Sequence, residues 1–277
     1  MSVDIGALER QSIPETDLSV KDYWNLHTLG LQYVKDQDLE IGSPEFFEHI
    51  RPWMNPFKFP DVMPRIDRVA PRLKGKHVLE IGCGMGFDSV ELMRRGIRLS
   101  ATDLTPAAVK VARRHFEVEG FVPEEVRVAN VLSLDFPDES FDGVYAIGVV
   151  HHTGDTARSL REMRRVLKPG GLMVVAHIYR RPSFFHMLSK LGQENIEFKD
   201  EDAPVIDFFT ESEVLEMLHG FTVEEMTQDH YRALPIARTG LKAMLYTYGF
   251  RPIYNLLPES IAKRFAHKIS LVARKNY

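Results

Sequence analysis

The stretch Val78-Leu79-Glu80-Ile81-Gly82-Cys83-Gly84-Met85-Gly86-Phe87-Asp88 reads as a short apolar strand, a glycine-rich turn and the start of a helix. Gly82 and Gly84 let the backbone turn tightly and approach a ligand with no Cβ in the way. The helix that follows offers unpaired N–H groups and a positive dipole end at the same point. A dinucleotide fingerprint needs the spacing Gly-x-Gly-x-x-Gly. Here the third glycine, Gly86, comes one place early, and Phe87 stands where that fingerprint wants glycine. This argues against a nicotinamide-dependent oxidoreductase.

Downstream of this turn, strands and helices alternate. Strands are predicted at His77–Ile81, Arg98–Thr102, Val126–Ala129, Phe141–Val149 and Gly171–Ile178, and helices at Phe87–Arg95, Pro106–Glu117 and Thr156–Leu167. A turn, Lys168-Pro169-Gly170-Gly171, precedes the last of these strands. Thr210 and Glu213 have capping-box spacing for a helix through Leu218. Two final strands are expected at Gly220–Gln228 and Ala266–Arg274. The fold class expected is therefore α/β: a Rossmann-like, seven-stranded, mostly parallel sheet with helices on both faces, plus helical cap segments. Asp103 ends the second strand. A carboxylate there can accept hydrogen bonds from both hydroxyls of a ribose. Gly82, Asp103, Asn130 and Gly148 all fall at strand ends that converge on one crevice.

The remainder divides around this unit. Residues 1–59 read as a polar lead-in followed by an aromatic-rich helix from Val20 to Val34, capped by Ser19 and Asp22 and carrying Tyr23, Trp24 and Tyr33. That helix either closes over the crevice as a lid or packs on the sheet edge. Pro44, Pro52, Pro56 and Pro60 predict an irregular connection, and Asp61–Ala70 a helix. Residues 60–277 form the main domain, with cap insertions at about 179–209 and 231–263. These insertions, with Tyr179, Arg180, Phe184, Phe185, His186, Tyr231 and Arg232, are expected to supply much of an acceptor pocket.

Composition narrows the function classes. The chain has 277 residues, 44% hydrophobic and 27% charged, enough for a sizeable core. Its formal net charge of -4 speaks against a nucleic-acid substrate. Cys83 is the single cysteine, so no disulfide framework is possible and a reducing, cytoplasmic compartment fits. No apolar run has the length of a membrane span and no signal peptide is read at the N-terminus. Oligomeric state carries no sequence signal.

Taken in order, Glu80-x-Gly82-x-Gly84-x-Gly86, Thr102-Asp103, Ser140-Phe141-Asp142, His151-His152 and Leu167-Lys168-Pro169-Gly170-Gly171 resemble the class I S-adenosylmethionine-dependent methyltransferases. The nearest flavour is the ubiquinone/menaquinone-biosynthesis-type group and its small-molecule relatives. The resemblance covers about residues 60–178 and, by pattern, the final two strands. It implies S-adenosylmethionine as cofactor, with Glu80 and the turn Gly82, Cys83 and Gly84 around its methionine portion. It implies Asp103 on the ribose, Leu104 beside the adenine, Asn130 on the adenine amine and the backbone of Val131 alongside. Many relatives carry aspartate at the Asn130 position; the amide oxygen keeps the acceptor. Gly148 and the following residues would run past the methionine portion toward the acceptor.

The implied reaction moves a methyl group to a small-molecule acceptor through oxygen, nitrogen or carbon. Its main demands are alignment and exclusion of water. A base is needed only where the acceptor must lose a proton. His151 and His152 are the candidates for that role, with a structural role for either as the competing reading. Adjacent histidines without a nearby Cys, Asp or Glu cluster do not make a metal site. Tyr23, Trp24, Tyr33 and Tyr179 are the candidate acceptor contacts. An RNA or protein methyltransferase, and a non-catalytic cofactor-binding protein on the same fold, are the competing functions.

Overall fold

The computed structural model of the chain describes residues 20–26, 39–52, 62–183, 186, 204–229, 244–258, 261, 264 and 266–277. Helices α1 (Val20–Leu26), α2 (Pro44–Pro52) and α3 (Val62–Leu73) precede the sheet. Strand β1 (His77–Ile81) leads through the glycine turn into α4 (Phe87–Arg94), β2 (Arg98–Asp103) into α5 (Pro106–Glu119), then β3 (Glu125–Val128). Strand β4 (Phe141–Ile147) runs into a single 3-10 turn at Val150–His152, followed by α6 (Thr156–Val166) and β5 (Leu167–Tyr179). The C-terminal part holds α7 (Glu211–Met217), β6 (Phe221–Asp229), a π-helical turn at Leu245–Phe250, α8 (Arg251–Asn255) and β7 (Lys268–Lys275).

The seven strands form one sheet in the order β3-β2-β1-β4-β5-β7-β6. Neighbours from β3 to β5 are parallel, and β7 is antiparallel to both β5 and β6. Both faces are covered, so the central strands alternate between two cores rather than between core and water. Leu79, Val144, Met173 and Val175 pack with Leu160 and Met163 of α6. Val78, Tyr145, Leu172 and Val174 face the other way, against Ile66 and Val69 of α3 and Val90 of α4. The order reverses between β1 and β4, and the crevice at that switch point is where ligands bind in open α/β sheets.

Two elements differ from the expected ones. Residues 44–52 form α2 rather than an irregular connection. Pro44 takes the first helical position, where its missing N–H costs nothing, and the Ser43 hydroxyl accepts the Phe46 N–H at 3.1 Å. Phe46, Phe47 and Ile50 are fully buried on one face. Strand β5 begins at Leu167, before the expected turn: Leu167 pairs with Phe141, and pairing resumes at Leu172 with Gly143, so residues 168–171 bulge out of a continuous strand. Of the expected aromatic helix, Val20–Leu26 is helical, while its continuation, with Tyr33, lies outside the described residues. Phe184, Phe185, Tyr231, Arg232 and most of the two cap insertions lie outside them as well. The capping box predicted at Thr210 and Glu213 is present in both directions.

Candidate functional site

The glycine turn is held by the neighbouring strand. Gly82 N–H and Cys83 N–H donate to the Thr102 carbonyl at 2.8 and 2.9 Å, and the Thr102 hydroxyl donates to the Glu80 carbonyl at 2.9 Å. Gly82 has φ 72°, and a Cβ there would come within 2.2 Å of Val149 Cγ2. The turns after β1 and β4 therefore touch at a point only glycine fits. Gly84 is different: a Cβ on it would meet no protein atom within 4 Å.

Gly84 borders a cavity of about 450 Å³ at the carboxyl ends of the central strands, a volume in the range of small-molecule sites. Glu80, Gly82, Cys83 and Gly84 line one side. Asp103 and Leu104 continue the wall from β2, Asn130 and Val131 follow β3, and Gly148 follows β4. His151, His152, Tyr179 and Trp24 complete the set of sequence-selected residues brought together here. Tyr23 does not line the cavity. It lies one position round α1 from the Val20–Trp24 face that does, and is buried, edge-on to the Trp24 ring at 5.1 Å between centroids.

Asp103 is prepared from within. Its Oδ2 accepts Gly84 N–H at 3.0 Å, and its Oδ1 accepts the Thr105 N–H and hydroxyl, both at 2.9 Å. Burial pushes this carboxyl above its ordinary value, against the backbone donors of Thr105 and Gly84. The Leu104 N–H is a further backbone donor to it.

Glu80 is buried at the end of β1 and accepts a hydrogen bond from Ser89 of α4. Burial, with the Asp88 and Asp103 carboxyls nearby, pushes its pKa up to about 8 despite the Ser89 hydroxyl. The Tyr145 hydroxyl donates to Asp88 Oδ2 at 2.9 Å. One end of the cavity thus gathers three carboxyl groups, from Glu80, Asp88 and Asp103. Asn130 is exposed, and its Oδ1 accepts Leu132 N–H at 2.9 Å, which fixes the amide's orientation and leaves its NH2 directed elsewhere.

The opposite wall is aromatic and basic. The 3-10 turn is pinned where the Thr153 and Thr156 hydroxyls both donate to the Val150 carbonyl. His152 Nδ1 lies 2.8 Å from the Val205 carbonyl oxygen. A carbonyl only accepts, so Nδ1 carries the proton and Nε2 of the neutral ring is an acceptor. The His152 ring meets Trp24 edge-on at 5.0 Å. His151 packs between His152 and Tyr179, with ring centroids 4.1 and 4.4 Å away.

Sequence reasoning missed two residues of this wall, His177 and Lys268. His177 has φ 63° at a register shift in the β5–β7 pairing, a left-handed conformation rare for a side chain with a Cβ. Neither residue sits in a local motif. Lys268 reaches the cavity because antiparallel β7 brings its first residue opposite Tyr179.

The fit to a cationic sulfur nucleoside is good on these observations. Carboxyl groups gather at one end, and a glycine opens the wall to a ligand. Among the described residues, no group of three or more His, Cys, Asp or Glu side chains is arranged to hold a metal ion. No helix among them is long and apolar enough to cross a membrane.

Known proteins point the same way. Residues 79–175 match the methyltransferase domain family. A ubiquinone biosynthesis O-methyltransferase of Xanthomonas oryzae pv. oryzae is 36% identical over 144 residues, 52% of this chain and 57% of that protein. The chain thus spans little more than half the length of that curated relative. A provisionally assigned methyltransferase of Bacillus halodurans superposes with TM-score 0.59 at 22% identity, covering 79% of this chain and all of that one. An S-adenosylmethionine-dependent methyltransferase of Mesorhizobium loti superposes with TM-score 0.51 at 21% identity, covering 76% and 96%. The two superpositions establish the fold alone. Residues 79–175 thus match the methyltransferase domain family, on a fold that the superpositions share.

Proposed function

We propose that this protein transfers a methyl group from S-adenosylmethionine to a small-molecule acceptor by in-line displacement. The observation that carries the reading is the single cavity joining a carboxyl-rich glycine cradle to a wall of histidine and aromatic rings. When bound, the cofactor supplies a methyl already activated on a sulfonium, so the protein's work is alignment, shielding and, for some acceptors, removal of a proton.

Asp103 takes the ribose hydroxyls, from the end of β2 where it lines the cavity. Glu80 and the turn Gly82, Cys83 and Gly84 border the methionine portion, and Gly148 runs past it. Leu104, Asn130 and Val131 border the adenine, Asn130 through its exposed side chain. His152, rather than His151, presents a proton acceptor, because the Val205 carbonyl holds its other nitrogen protonated. Trp24 and Tyr179 contact the acceptor, and α1 serves as a lid over the crevice. The acidic balance of the chain favours a small molecule over nucleic acid. A lone buried thiol, Cys83, suits the reducing cytoplasm.

The test is calorimetric titration of the full chain with S-adenosylmethionine and S-adenosylhomocysteine. Saturable binding of both is expected, and heats indistinguishable from dilution would sink the reading.

A further inference from the structure

The glycine turn is made of residues with little conformational preference of their own. Gly84 and Gly86 both take left-handed φ, 52° and 81°, and glycine loses more freedom on ordering than any other residue. Met85 stands between them, buried, and lines the cavity. The peptide unit joining Met85 to Gly86 is nevertheless fixed at both ends. The Gly86 N–H donates to the Cys83 carbonyl at 2.8 Å, inside the turn. The Met85 carbonyl is held from outside it, by His115 Nδ1 of α5 at 2.9 Å. A carbonyl only accepts, so the His115 ring carries a proton on Nδ1.

His115 is fully buried, and its ring is set by its neighbours. Phe47 of α2 lies nearly parallel to it, with 4.1 Å between centroids and 8° between planes. Phe87, the first residue of α4, packs tilted against it at 4.5 Å. Its Nε2 lies 3.8 Å from Glu119 Oε1, and Glu119 is paired with both Arg51 of α2 and Arg94 of α4. Phe116, the next residue of α5, touches the same turn: a Cβ on Gly86 would come within 2.8 Å of its ring. Helix α2 precedes residues 79–175, which match the methyltransferase domain family. It reaches the glycine turn through one side chain, the His115 imidazole on which Phe47 stacks.

We propose that His115 is a positioning residue for the cofactor, its Nδ1–H tying the Met85 carbonyl to α5 so that the glycine turn is set before the nucleoside arrives. A loose turn must be ordered at the moment of binding, which costs affinity, whereas a turn ordered in advance does not. Without the donor a buried carbonyl loses its partner, and the glycines on either side let the peptide reorient to find another. This rests on the methyltransferase reading above. Two jobs meet in one ring, and substitution separates them. Phenylalanine keeps the stack on Phe47 and loses the donor. Asparagine loses the stack and keeps an amide donor near the Nδ1 position.

The experiment is calorimetric titration of the full chain with S-adenosylhomocysteine, beside melting temperatures, for the wild type, His115→Phe and His115→Asn. No binding to the wild type would overturn the methyltransferase reading itself. With the wild type binding, His115→Phe is expected to bind roughly tenfold more weakly, the scale of one buried hydrogen bond, and His115→Asn to stay within about threefold of the wild type although it melts lower. Wild-type affinity in His115→Phe, or affinities that track melting temperature instead of the donor, would overturn the proposal. A second measurement uses the wild type alone, so that it decides even where a variant fails to fold. In nitrogen–proton spectra of ring-labelled protein, the His115 Nδ1–H signal should move when S-adenosylhomocysteine saturates the site. A signal that stays in place would overturn the proposal equally.

Discussion

The imidazole of His152 and the carbonyl of Val205 lie 2.8 Å apart, joining the turn after β4 to the segment that precedes α7. The bond selects one neutral tautomer. Long-range nitrogen–proton correlation spectra of ring-labelled protein at neutral pH should show His152 protonated at Nδ1 and bare at Nε2. A ring protonated at Nε2 would remove it as a proton acceptor.

Asp103 offers a direct test of the cofactor site. Asp103→Ala should leave the fold intact, since the side chain bonds local turn donors, Gly84, Leu104 and Thr105. Affinity for S-adenosylhomocysteine should fall about 100-fold, as expected for two charge-assisted hydrogen bonds at ~1.5 kcal/mol each. Unchanged affinity in a folded variant, measured by calorimetry, would contradict the ribose assignment.

Glu80 makes the ligand-free protein sensitive to alkali. Its folded pKa, about 8, lies above the ordinary carboxyl value of 4.5. The folded state therefore binds more protons than the unfolded chain between those values, and stability falls as pH rises through that window. Melting temperatures of the ligand-free protein between pH 5 and pH 8 should decline, and Glu80→Gln should flatten the decline. Parallel curves for the two proteins would refute this.

His115 works in the opposite direction. It is buried on α5 and stacks on Phe47 of α2 at 4.1 Å, with its Nδ1 donating to the Met85 carbonyl at 2.9 Å. Burial drops its pKa to about 4. The unfolded chain binds more protons between that value and 6.5, so stability is lost as pH falls through the window. Hydrogen exchange should report earlier opening of α2 in mild acid, and His115→Phe should suppress that early opening.

Gly82 tests the geometry of the switch point. Alanine there would overlap Val149 and demand a left-handed backbone, costing on the order of 3 kcal/mol. A double variant with Val149→Ala should recover part of the loss in chemical denaturation, whereas additive losses would mean the two turns do not bear on one another.

The parts of the site that were readable in the residues are local ones. Glu80 to Asp103 span a strand, a turn, a helix and a strand, and each announces itself by apolar periodicity, glycine or a terminal acid. The α2 helix was hidden because Pro44 and Pro52 look like breakers until one knows that they occupy its two ends. Residues 168–171 look like a strand boundary, yet the chain resumes the same strand beyond them. His177 enters the site through a backbone irregularity with no residue signature, and Lys268 through a strand pairing between distant parts of the chain. Such contributions depend on tertiary topology, which periodicity does not encode.

The contact between Gly82 and Val149 divides labour within one pocket. It joins the half proposed to hold the nucleoside into a unit built from short, adjacent loops. The far half is assembled from the tail of β5 and the start of β7, after the chain has departed and come back. On the proposed function, changes there would retune which molecule is modified without loosening the grip on the donor. For a designer seeking a new acceptor, the margins of β5 and β7 are the place to mutate, and the first crossover is the part to leave alone.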